Sequence, residues 1–74
     1  MKRILIIEDD TDIASIECDF LHISGFSVEI ASNGKIGLQR ALSREFDLIL
    51  LDLMLPGING TEICKKIRNY SVAS

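Results

Sequence analysis

Four acidic residues hold most of the chemistry this chain could do: Glu8, Asp9 and Asp10 after an apolar run, and Asp52 inside another. Asp52 is the odd one. It interrupts LILLDLML, and an ionised carboxylate buried in mid-strand costs several kcal/mol. It is tolerable at the end of a strand, where water or a cation can reach it. Carboxylates gathered at one point repel, and each raises the pKa of the others. Such a cluster is kept when a cation sits in it. Hard oxygen donors with water access suit Mg²⁺, which takes one or two carboxylates plus substrate phosphate. A strand-end carboxylate beside Mg²⁺ can act as nucleophile in phosphoryl transfer.

The elements that must position these acids follow from periodicity. Ile4-Leu5-Ile6-Ile7 is a continuous, β-branched run, the pattern of a strand buried on both faces. Asp9, Asp10, Thr11 and Asp12 are helix-start residues. Ile13, Ile16, Phe20 and Ile23 then recur at helical spacing, and Gly25 suits a C-terminal cap. FSVEIA alternates, and Glu29 between Val28 and Ile30 suggests the wetter face of an edge strand. Ser32-Asn33-Gly34 is a turn and helix cap, leading into a helix with Ile36, Leu38, Ala41 and Leu42. After the third strand, Pro56-Gly57 and Asn59-Gly60 break the chain before a helix carrying Ile63, Cys64 and Ile67. The expected elements are strands at about 3–7, 26–31 and 47–52 and helices at about 11–24, 33–44 and 58–69. The closing YSVAS has no helical pattern.

Strict β-α-β-α-β-α alternation implies α/β architecture: parallel strands, right-handed crossovers and helices on both faces. All strands then end on one side, where ligands bind. Glu8, Asp9 and Asp10 follow the first strand, and Asp52 follows the apolar part of the third. If those strands are neighbours, the acids converge.

Composition narrows the function. Seventy-four residues make one domain at most, and 47% hydrophobic content with a mean hydropathy of +0.27 indicates a globular chain. A net charge of −3 gives no basic footprint for nucleic acid. The apolar runs are far short of the ~20 residues that span a bilayer, and the N-terminal run is too short for a signal peptide. Cys18 and Cys64 form no CxxC pair, so a reduced, cytoplasmic setting is expected. Several motif readings fail. A calcium loop starting at Asp10 has Ala14 and Ser15 where an acid and a glycine are needed. Cys18 and His22 lie four apart but offer too few ligands for a closed zinc site. Gly34 and Gly37 form no phosphate-cradling loop. Lys65, Lys66 and Arg68 read as a solvated helix end with a favourable dipole contact.

The segments ILIIEDD (4–10), ASNGKIGL (31–38) and DLILLDLMLPGINGTEICKKIR (47–68) together resemble the N-terminal part of the receiver domain of two-component response regulators. The LMLPG form is most similar to regulators with a winged-helix DNA-binding output domain. The resemblance implies a flavodoxin-like fold, here truncated to three parallel strands in the order 2-1-3 with helices on both faces. It implies that Asp52 is the phosphoryl acceptor. Mg²⁺ would be held by Glu8, Asp9, Asp52 and the backbone carbonyl of Met54. The donor would be a sensor histidine kinase or a small phosphodonor, with self-phosphorylation and no turnover chemistry. In this resemblance Ser71 to Ser74 look like the lead-in to the family's fourth strand. The family also uses a Ser or Thr after its fourth strand and a Lys after its fifth, and no residue of this chain matches either. Phosphotransfer and switching are therefore expected to be impaired. The alternative is a non-switching fragment that acts only through self-association or partner capture. The third strand is expected to be an exposed apolar edge, which invites pairing with another chain. A homodimer through that edge is the corresponding expectation.

Overall fold

A computed structural model describes residues 1–43, 46–52 and 70–73, the last four by backbone alone. The elements in chain order are β1 (Arg3–Ile7), α1 (Thr11–Ile23), β2 (Ser27–Ala31), α2 (Gly34–Leu42), β3 (Leu48–Asp52) and β4 (Tyr70–Ala73). The expected helix at 58–69, with Cys64, Lys65, Lys66 and Arg68, lies outside the described residues, as does Met54.

β1 sits between β2 and β3 because its whole apolar run needs cover on both faces and both edges. It pairs in parallel with each, Ile6 opposite Ile30 on one side and opposite Leu50 on the other. Leu5, Ile6, Ile7 and Leu51 are fully buried. Side chains alternate across the sheet. Leu5, Ile7, Ile49 and Leu51 cluster with Ala31, Ala41 and Phe46, with Leu38 of α2 packed against them. Leu50, of opposite parity, lines a groove with α1 residues. The two described helices therefore cover opposite faces.

Local chemistry sets the helix ends. Asp10 caps α1, its carboxylate accepting from the N–H groups of Asp12 and Ile13 at 3.0 and 3.1 Å. Asn33 caps α2, accepting from Ile36 N–H at 2.9 Å. α1 ends at Ser24 followed by Gly25 at φ 96°, a left-handed backbone that glycine adopts without steric cost. Gly37 lets α2 approach β1 closely: a Cβ there would lie 2.6 Å from Ile7 Cδ1.

One expectation is corrected. The tail is a strand: β4 pairs in parallel with β3, setting Ile49 opposite Tyr70 and Asp52 opposite Ala73. The sheet order is β2-β1-β3-β4, so the order 2-1-3 holds and continues by one strand. β3 is consequently not an exposed edge, and a homodimer through it has no free backbone row to use. The physical cause is the demand of β3's N–H and C=O groups for partners, which four residues of this chain meet. Burial along α1 is uneven. Its buried residue is Ala14, while Ile13, Ile16, Phe20 and Ile23 are 47%, 69%, 70% and 87% exposed. The small residue is buried and the large periodic residues are left open, Ile16 and Phe20 lining a groove with Leu50 of β3.

On the edge strand β2, Glu29 is half-buried and held by Arg3 at 3.0 Å and Arg40 at 3.8 Å. Arg3 also stacks over Phe46, 5.1 Å from the ring centroid, and its backbone N–H donates to Asp47 at 2.8 Å. One arginine thus ties the start of β1 to the middle of β2 and to the residues that lead into β3.

Candidate functional site

The parallel register decides which acids meet. Ile7 pairs with Leu51, so the residues after them, Glu8 and Asp52, leave adjacent strands on the same side. Asp52 is the last residue of β3. It is half-exposed, and the interruption of its apolar run is thereby explained: the strand stops where the charge begins. Glu8 is only 6% exposed, Asp9 is exposed, and one carboxylate oxygen from each of Glu8, Asp9 and Asp52 lies within 4.8 Å of the others.

Glu8 is held firmly. Its N–H donates to Ala31 O at 3.1 Å, and its Oε1 accepts from Asp10 N–H at 3.1 Å. Burial pushes its pKa up; the Asp10 N–H opposes this, and the neighbouring Asp52 and Asp9 add to the rise. Glu17, half-buried on α1, is also raised, first by burial and then by the charge of Asp52. The site therefore carries more negative charge than three ionised carboxylates can comfortably share.

That excess is what a divalent cation relieves. The donors are all hard carboxylate oxygens, two of them on residues water can reach, and their mutual distances fit one small ion. The site residues expected from sequence are treated as follows: Glu8, Asp9 and Asp52 are brought together, and Met54 lies outside the described residues. Asp10 is drawn off into the helix cap. Cys18 and His22 stand on α1, half-buried and exposed respectively. Glu17 was not singled out by sequence; it follows buried Ala14 by three residues on α1 and so borders the sheet.

Comparison with known proteins agrees with this geometry. The family model described as the response regulator receiver domain matches residues 4–73. Response regulator ArlR of Staphylococcus epidermidis is 51% identical over 69 residues, 92% of this chain and 31% of that protein. The Staphylococcus saprophyticus ArlR is 54% identical over the same share of each. The chain thus spans about a third of the length of these curated relatives. Among solved structures, the response regulator TrrA of Thermotoga maritima in complex with Mg²⁺-BeF superposes with a TM-score of 0.85 at 33% identity, covering 97% of this chain and 66% of that one. A CheY-like receiver domain from Methanospirillum hungatei gives 0.86 at 34% identity, covering 100% and 67%. A complex of the histidine kinase ThkA with TrrA gives 0.83 at 26% identity, covering 100% of this chain and 87% of that one. With the acidic triad at the ends of β1 and β3 and a family match over nearly every residue, this chain belongs to the response regulator receiver domain family.

Proposed function

We propose that the chain is a phospho-accepting receiver module in which Asp52 takes the phosphoryl group and Glu8, Asp9 and Asp52 hold Mg²⁺, with the Met54 carbonyl as a further ligand. The observation that carries this reading is the convergence of the three carboxylates within 4.8 Å, one buried and two reachable from solvent. When bound, the cation supplies positive charge that offsets the carboxylates and the incoming phosphate.

The chain's own residues do the rest. An Asp52 carboxylate oxygen forms a bond to the phosphorus of the donor. The P–N bond of a phosphohistidine, or the P–O bond of a small acyl phosphate, breaks, and its electron pair leaves with the imidazole or the carboxylate. Glu8, fixed by Ala31 and Asp10, holds its carboxylate at the site without rotamer searching. The donor protein in this reading is a sensor histidine kinase, the partner class seen in the ThkA–TrrA complex, and the setting is the cytoplasm. No helix among the described residues is long and apolar enough to cross a membrane. Nucleic acid is not a direct partner of this module, given its net charge of −3.

Fluorine NMR with Mg²⁺ and beryllofluoride tests the site. A bound-fluoride signal that requires Mg²⁺ and disappears in Asp52→Ala supports the reading. A folded wild-type chain with no such signal overturns it.

A further inference from the structure

Asp10 is the acid that the proposed Mg²⁺ set leaves aside, and its hydrogen bonds run in two directions. Its Oδ1 accepts from Asp12 N–H at 3.0 Å and from Ile13 N–H at 3.1 Å. Its carbonyl accepts from Ala14 N–H at 3.0 Å. Its own N–H donates to Glu8 Oε1 at 3.1 Å. The first three bonds fasten the start of α1, which buried Ala14 anchors. The fourth reaches back into the acidic site.

We propose that Asp10 is a positioning residue for the Mg²⁺ site, its helix cap aiming its backbone N–H at Glu8 and so setting the carboxylate that meets the ion. This rests on the reading of Glu8, Asp9 and Asp52 as the ion's carboxylates. Glu8 needs such a hold. Its neighbours Asp9 and Asp52 bring oxygens within 4.8 Å, and their charges push its carboxylate away. The Asp10 N–H pulls it back. A backbone donor is aimed by dihedral angles, and Asp10 stands at φ −79° and ψ 110°, the extended backbone of an N-cap. The two bonds to Oδ1 lock that conformation. Without them, alanine at position 10 is a good helix former with no cap to make, and it joins the first turn. Its N–H then turns along the helix axis and off Glu8. The charge of Asp10 plays no part in this. Its side chain is exposed, so salt at about 150 mM screens much of its own attraction for a cation. Asparagine caps a helix as well as aspartate does, and it keeps the aim while removing the charge.

Mg²⁺ titration of the isotope-labelled chain in about 150 mM KCl, followed by backbone amide shifts, is the test. Asp10→Ala should raise the Kd for Mg²⁺ roughly three- to tenfold. That is less than the roughly ten- to hundredfold seen when a partner of a metal-binding side chain is deleted, because the N–H remains and only its aim is lost. Asp10→Asn should stay within about twofold of wild type, as an equal cap requires. In metal-free buffer, the amide of residue 10 should exchange with deuterium faster in the alanine variant than in wild type or Asp10→Asn. Asp10→Gly, a change that helix starts tolerate, takes the place of the alanine variant if that one does not fold. A folded Asp10→Ala chain with wild-type affinity overturns the inference. So does Asp10→Asn binding as weakly as Asp10→Ala, which would make the charge responsible. A wild-type chain that takes up no Mg²⁺ overturns the reading of the site itself and this inference with it, so the wild-type titration tells the two failures apart.

Discussion

Gly37→Ala tests how tightly α2 is seated on β1, and through β1 how firmly Glu8 is placed. The added methyl would lie 2.6 Å from Ile7 Cδ1 and 2.7 Å from both Cγ1 and Cγ2. Ile7 is fully buried and immediately precedes Glu8, so it has no open space to swing into. Helix propensity alone would reward the change by about 1 kcal/mol, since alanine is the better helix former. Overpacking opposes it by about 1–3 kcal/mol. With three close contacts on a fully buried side chain, the upper part of that range applies, and the net loss is about 1–2 kcal/mol. For a domain of this size such a loss lowers Tm by roughly 5–15 °C. Urea unfolding followed by far-UV circular dichroism gives ΔG directly. Shortening the neighbour should restore part of the loss, so Gly37→Ala with Ile7→Val should be more stable than Gly37→Ala alone. A Gly37→Ala protein as stable as wild type, or more so, would refute the close-packing argument.

The remaining predictions concern the acids and the surface. Glu8→Gln should raise stability in EDTA at pH 7 and remove the stabilisation by Mg²⁺, which in wild type reaches roughly 1.4 kcal/mol at ten times Kd; thermal melts with and without the ion read both effects. Because burial holds the folded-state pKa of Glu8 above the ordinary glutamate value of 4.5, folded protein binds more protons than unfolded. In metal-free buffer this contribution to stability is greatest below 4.5 and falls as pH rises through the folded pKa, a slope that Glu8→Gln should flatten. Asp10→Ala removes the carboxylate that accepts from Asp12 and Ile13 N–H and should cost about 1 kcal/mol in urea titrations. Glu29→Gln should cost under ~1 kcal/mol, since its ion pairs with Arg3 and Arg40 join side chains that are 41–45% exposed.

Much of the architecture was legible because it rests on local signals. The unbroken apolar run of β1 announces a strand covered on both sides. Asp10 and Asn33 cap their helices by bonds reaching two or three residues along the chain. Asp52 stood out because a charge in an apolar run needs a strand end, and the β1–β3 register supplies one opposite Glu8. β4 was not legible. YSVA is four residues long, and its strand character comes from the backbone groups of β3, a tertiary demand that no local pattern records. The expected β3 edge, and the dimer built on it, failed for that reason. The orientation of α1 was hidden too. Periodicity locates an apolar stripe without saying what covers it, and close packing on a sheet selects Ala14 over the larger isoleucines. Glu17 escaped notice as part of the acidic field because its effect depends on burial and on Asp52, far away in sequence.

The central claim is that three carboxylates of this chain form a working phosphoryl-acceptor site. Intact-mass measurement with Mg²⁺, before and after acetyl phosphate, tests it most directly. The account predicts a gain of one phosphoryl mass that requires Mg²⁺ and is absent in Asp52→Ala. No gain in a folded wild-type sample, or a gain that survives Asp52→Ala, would contradict it.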